Sequence, residues 1–122
     1  MMNASDTRQR GAVLVVAAHP DDEVLGCGGT ITLMSDEGRS VHVLLLADGE
    51  SSRASDSRDQ IDPARLAARK LSAEKAAEIM GCASVELLAL PDNRLDGLEL
   101  LDVVRHIETV VGRHQPFTVL TH

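Results

Sequence analysis

The residue types best suited to chemistry sit in one run, Ala18-His19-Pro20-Asp21-Asp22-Glu23. Pro20 biases His19 toward an extended backbone, so a strand is held to its last residue and the chain then turns sharply. On such a turn His19 and Asp22 face one point in space. A neutral imidazole and a nearby carboxylate make two-thirds of the protein ligand set of a catalytic zinc, to which one more ligand and a water must be added. Asp21, between them, is left unligated to act as a base. The competing reading is structural. Acidic residues at a helix start are what capping and the helix dipole favour, and a histidine before proline often merely ends a strand. Gly26, Gly28 and Gly29 point to close helix packing or approach of a ligand, without the Gly-x-Gly-x-x-Gly order of a dinucleotide site.

The elements that must position this run are legible from hydrophobic patterning. Four apolar, β-branched stretches, Val13 to Ala18, Val41 to Ala47, Val85 to Leu90 and Phe117 to Thr121, are nearly continuous rather than alternating, as in strands covered on both faces. Between them Glu23 to Glu37, Ala64 to Met80 and Leu98 to Arg113 carry helical signals. The second helix opens on Asp62-Pro63 and closes at Gly81, an N-cap with proline at the first position and a left-handed C-cap. In the third, Leu98, Leu101, Val104, Ile107 and Val111 form one apolar stripe ending before Gly112 and Pro116. Strand and helix alternating with short connections predict a Rossmann-like, doubly wound α/β layer, a parallel sheet with helices on both faces, for which 3-2-1-4 is the expected strand order of the class. One connection is long and polar, from Asp48 to Gln60, and it follows the carboxyl end of the second strand, where open α/β sheets bind ligands.

The segment AAHPDDEVLGCGGTI closely resembles the signature of the zinc-dependent N-acetylglucosaminyl deacetylases of the LmbE/PIG-L type. LLLADGE after the second strand, Arg69 before the AAEIMG helix end, and LALPDNRL after the third strand are similar to that family as well. The resemblance implies a Rossmann-like fold, zinc as cofactor, and an N-acetylated amino sugar or glycoconjugate as substrate. It makes His19 and Asp22 metal ligands and Asp21 the general base, with Arg69 as a weaker substrate contact. Zinc chemistry agrees with those roles, because the metal acidifies water and polarises the amide carbonyl while the carboxylate shuttles the proton.

Two positions depart from the family pattern. Ser72 stands where the family has a glutamate after the helix arginine. The third ligand and an oxyanion-stabilising histidine come, in the family, from a His-x-x-His segment shortly after the fourth strand, whereas this chain ends at His122. It therefore reads as the amino-terminal part of a deacetylase, cut after the fourth strand, and is expected to be catalytically feeble alone. With strand order 3-2-1-4, His19 and His122 lie at neighbouring carboxyl ends beside the switch-point crevice. His122 is expected to support the site from behind the ligands or simply to end the chain, and Asp48 and Glu50 are weak candidates for reaching the crevice. His42, His106 and His114 read as structural or solvated; Asp92 and Asn93 read as a turn that can also touch a sugar hydroxyl.

Composition narrows the function classes. The chain has 122 residues, a formal net charge of -7 from 12 basic and 19 acidic side chains, and no basic stripe, so nucleic acid is not expected as a partner. The length fits one small domain, residues 1 to 122, headed by a polar tail over residues 1 to 10. Phe117 is the only aromatic residue, which leaves an aliphatic core and no stacking platform. No segment approaches the ~20 apolar residues of a membrane span and no leader is recognisable, so a cytoplasmic protein is expected. Cys27 and Cys82 read as buried thiols. Two further readings stand beside the hydrolase. A receiver-like phospho-acceptor domain would use Asp21, Asp22, Asp92 and Thr121 but leaves His19-Pro20 and the GCGG run unexplained. A non-catalytic remnant would expose Phe117 to Thr121 as an apolar edge that invites a partner chain, swapping or a homo-oligomer.

Overall fold

The structure is a computed structural model that describes residues 11–48, 62–90 and 100–122. The elements are β1 (Val13–Ala17), α1 (Asp22–Asp36), β2 (Val41–Ala47), α2 (Pro63–Met80), β3 (Ser84–Leu90), α3 (Leu100–His114) and β4 (Thr118–Leu120). They build a four-stranded sheet in the order β3-β2-β1-β4, all of it parallel, with Val13 opposite both Val41 and Thr118. This is the architecture expected from the strand and helix pattern. No described helix is long and apolar enough to cross a membrane.

The continuous apolar runs are explained by two cores, one on each face. Val13, Val15, Ala17, Val41, Val43 and Leu45 pack against Cys27 and Ile31 of α1 and Ala73 and Met80 of α2. The intervening Leu14, Val16 and Leu44 pack with Val110 of α3, joined by Ile107 and Val111. The division follows from the topology. Steps from β1 to β2 to β3 run one way across the sheet, whereas the step to β4 runs back past β1. Crossovers of one hand therefore place α1 and α2 on one face and α3 on the other. All five residues of β1 are buried, while the edge strand β4 leaves Val119 51% exposed beside Phe117 at 62%.

Helix punctuation is partly as expected. Asp62 caps α2 through Oδ1, which accepts the Ala64 N–H at 2.9 Å, and Gly81 closes it at φ 78°. In α3 the apolar stripe is shifted. Val110 is the buried residue, with Ile107 and Val111 packed beside it, whereas Leu101 is 54% exposed. Nor does Gly112 end it; the helix runs to His114, and Gln115 takes the left-handed conformation at φ 47°. Leu98, Asp92, Asn93 and all of the long connection except Asp48 lie outside the described residues.

Candidate active site

The turn after β1 gathers its polar groups around one oxygen. Asp22 Oδ2 accepts the backbone N–H of His19 at 3.1 Å and lies 3.2 Å from His19 Nδ1. The turn is closed by the Asp22 N–H donating to the His19 carbonyl at 3.1 Å. The Asp21 carbonyl then accepts the first helical N–H groups, from Val24 and Leu25. Asp21 occupies the N-cap position, but its side chain makes no cap hydrogen bond, and its backbone sits at φ 147°, ψ −29°. That φ is rare for a residue with a β-carbon and marks local strain. Capping therefore does not account for Asp21: its carboxyl is not spent on the helix.

His122 arrives at the same oxygen from β4. Its Nε2 lies 3.5 Å from Asp22 Oδ2 and accepts the Ala18 N–H at 3.0 Å. A ring nitrogen that accepts a backbone N–H carries no proton, so this approach is not an ion pair, and the same lone pair is not available to a metal. Thr121 Oγ1 donates to the Val16 carbonyl at 2.8 Å, which fastens the end of β4 to β1 just before His122. Gly26, one turn along α1 from Asp22, makes room for the ring: a β-carbon there would sit 3.2 Å from that of His122. Of the three glycines in the GCGG region, only this one meets a close neighbour; Gly29 faces open space.

Asp21 also lines a cavity of about 420 Å³ between the start of α1 and the middle of α2. Pro20, Val24 and Leu25 supply one wall, and Arg69, Ser72 and Ala76 the other. Asp21 and Arg69 thus line one cavity. Asp48, placed by the Asp48 N–H bond to the Leu90 carbonyl at 3.0 Å, is fully buried, a position withdrawn from solvent.

One residue of this turn escaped the sequence reading. Glu23 is only 3% exposed, and its Oε2 accepts the Asp21 N–H at 2.9 Å. Burial pushes its carboxyl above the usual glutamate range, and the neighbouring charges of Asp21 and Asp22 push the same way against the backbone N–H groups that stabilise the anion. A signal was present: Glu23, Cys27 and Ile31 are the buried residues of α1, at i, i+4 and i+8, so the glutamate heads the apolar stripe. Cys82 packs on the same core, and burial, aided by Glu23, pushes its thiol up to about 11. It stays protonated and packs as a small hydrophobe; Cys27 is a buried free thiol of the same core.

The remaining described histidines lie elsewhere. His42 hydrogen-bonds Ser84 Oγ at 2.7 Å, and its ring stacks on His114 at 3.7 Å between centroids. Among the described residues no group of three His, Cys, Asp or Glu side chains is arranged to hold a metal ion. The donor set of His19 and Asp22 nevertheless fits zinc in kind, an imidazole nitrogen and a carboxylate oxygen brought together by one rigid turn.

Comparison with known proteins follows the same residues. The sequence profile of the family described as PIG-L: GlcNAc-PI de-N-acetylase matches residues 14–122. The chain is 38% identical over 109 residues to the diacetylchitobiose deacetylase of Thermococcus kodakarensis, covering 88% of this chain and 39% of that protein. It is 35% identical over 120 residues to the 4-oxalmesaconate hydratase of Pseudomonas putida, covering 96% of this chain and 45% of that protein. The solved N,N'-diacetylchitobiose deacetylase of Pyrococcus horikoshii superposes with a TM-score of 0.75 and 28% identity, over 88% of this chain and 39% of its own. The chain therefore spans less than half the length of these relatives. Nothing in these likenesses points to a receiver domain.

Proposed function

We propose that this chain, which belongs to the PIG-L family of GlcNAc-PI de-N-acetylases, carries the ligand-and-base turn of a zinc-dependent hydrolase that removes an N-acetyl group from an amino sugar or glycoconjugate. The observation that carries the reading is the turn itself. His19 Nδ1 and Asp22 Oδ2 stand 3.2 Å apart, while the carboxyl of Asp21 between them is left out of helix capping. His19 and Asp22 would hold the metal, with a third protein ligand from beyond the described set. Bound there, zinc supplies polarisation of the acetamide carbonyl and a more acidic attacking water.

The chain's own groups do the rest. Asp21 accepts the proton from the water as its oxygen bonds to the carbonyl carbon, and returns that proton to the amide nitrogen as the carbon–nitrogen bond breaks, leaving acetate and a free amine. Arg69, which lines the same cavity as Asp21, holds a hydroxyl or anionic group of the substrate. His122 braces the turn from behind by taking the Ala18 N–H.

The similarity to a hydratase gives a second reading, in which the same base adds water across a carbon–carbon double bond. The two are separated by product. The chain is incubated with zinc and either N,N'-diacetylchitobiose or 4-oxalmesaconate. The deacetylase reading expects slow acetate release that Asp21→Asn abolishes. Hydration of the unsaturated acid without acetate release from the sugar would transfer the assignment to the second reading.

A further inference from the structure

We propose that Glu23 is a positioning residue for the site, a buried clamp whose carboxyl holds the Asp21 peptide in its strained conformation and so keeps His19 and Asp22 converged. The inference rests on the reading of His19 and Asp22 as metal ligands, but its first step concerns the apo chain alone.

Position 23 belongs to the buried stripe of α1, where the next two members are Cys27 and Ile31. An apolar side chain satisfies such a position at no electrostatic cost. A carboxyl there is withdrawn from water at 3% exposure and lies beside two more carboxylates, Asp21 and Asp22, that oppose its charge. A residue that breaks the local rule this strongly is expected to be offset by something it does. What it does is visible in one bond. Glu23 Oε2 accepts the Asp21 N–H at 2.9 Å, a donor that precedes the helix and has no partner within its ladder.

That N–H belongs to the residue with the unusual backbone, φ 147° and ψ −29°. Asp21 links Pro20 to Asp22, so its two torsions set where the Asp22 carboxylate points relative to the His19 ring. Relaxing Asp21 to an ordinary negative φ rotates the peptide away from Glu23 and swings Asp22 off His19. The glutamate thus fixes the turn through the backbone while the Asp21 side chain stays available, a division of labour between adjacent acids that otherwise look interchangeable.

The test uses the full chain, with Glu23→Gln, which keeps the shape and an oxygen acceptor, and Glu23→Met, which keeps the length and removes the acceptor. The readouts are the Asp21 amide-to-Hα coupling by NMR, which reports φ, and zinc affinity by competition titration. The expected result is a wild-type coupling and affinity in Glu23→Gln. In Glu23→Met the coupling moves to a negative-φ value and zinc binding weakens by about tenfold or more, as when an outer partner of a metal ligand is lost. An unchanged Asp21 coupling in Glu23→Met overturns the clamp, and so does a changed coupling with unchanged zinc affinity. Should Glu23→Met not fold, hydrogen exchange in the wild type decides: the clamp requires a protected Asp21 amide, and exchange at the rate of an open surface amide overturns it. If the wild type binds no zinc, the ligand reading fails, while the coupling and exchange data still judge the clamp.

Discussion

The β-carbon of His122 lies 3.2 Å from the point where a side chain on Gly26 would begin, so the carboxyl end of β4 and the second turn of α1 meet through the absence of a side chain. The contact seats the imidazole that takes the Ala18 N–H at 3.0 Å. Gly26→Val is expected to push the ring out, unprotect the Ala18 amide and lower stability by about 1–3 kcal/mol through overpacking. Amide exchange at Ala18 together with a thermal melt checks this; a protected Ala18 amide in the valine variant contradicts it.

Two further glycines, one capping α2 and one inside α3, separate in sign. Gly81 holds φ 78°, and a β-carbon there would collide with Ser35 Oγ, which donates to the Gly81 carbonyl at 2.7 Å. Gly81→Ala is therefore expected to cost about 1–3 kcal/mol. Gly112 lies within α3 with nothing near its missing β-carbon, and Gly112→Ala is expected to stabilise by about 0.5–1 kcal/mol. Denaturant midpoints of the two variants moving in the same direction would refute the assignment of either position.

Anchoring of α3 gives a graded prediction. Val110 is 3% exposed and packs on Leu14, Val16 and Leu44, whereas Leu101 is 54% exposed. Val110→Ala is expected to destabilise by about 2 kcal/mol, and Leu101→Ala by no more than about 0.5 kcal/mol. Equal costs by chemical denaturation would place the buried face of the helix wrongly.

Acid stability is expected to depend on the histidine stack. Burial holds the His42 imidazole below its usual 6.5, and the facing His114 acts in the same direction. Ser84 Oγ is hydrogen-bonded to the ring, and the nearby Glu86–Arg113 pair at 2.9 Å joins β3 to α3. Because the folded state favours the neutral ring, the stability it contributes is present above pH 6.5 and is lost as pH falls through the lower folded value. His42→Phe, which keeps a ring against His114 and takes no proton, should flatten the decline of the melting temperature below that pH. An acid branch identical to the wild type would show that other groups set it.

The fold was legible because both faces of the sheet are covered, which turns each strand into an unbroken apolar run, and because Asp62, Pro63 and Gly81 punctuate α2. Crossover handedness alone leaves the side on which the fourth strand joins open, and the order 3-2-1-4 was the one the doubly wound class suggests. Less was legible where the signal depends on neighbours distant in sequence. The stripe placed Leu101 on the buried face of α3, whereas burial is observed around Val110, because periodicity gives a helix's apolar side but not how far along it the sheet reaches. At the site, the sequence singled out His19, Asp21 and Asp22 but treated Glu23 as one more acid at a helix start. Its membership of the Glu23-Cys27-Ile31 stripe was readable, but its bond to the Asp21 N–H depends on backbone torsions that no residue type announces. Gly26 was similar: the sequence marked a close approach, and only the packing of β4 against β1 shows that His122 is what approaches.

The central claim is that His19 and Asp22 form the metal-holding pair and Asp21 does not. Calorimetric titration of zinc into the chain tests it most directly, with His19→Ala/Asp22→Ala and Asp21→Asn beside the wild type. The account predicts one zinc per chain, an affinity reduced by more than about a hundredfold in the double variant, and near-wild-type binding in Asp21→Asn. Zinc binding that survives the loss of both His19 and Asp22 would contradict it.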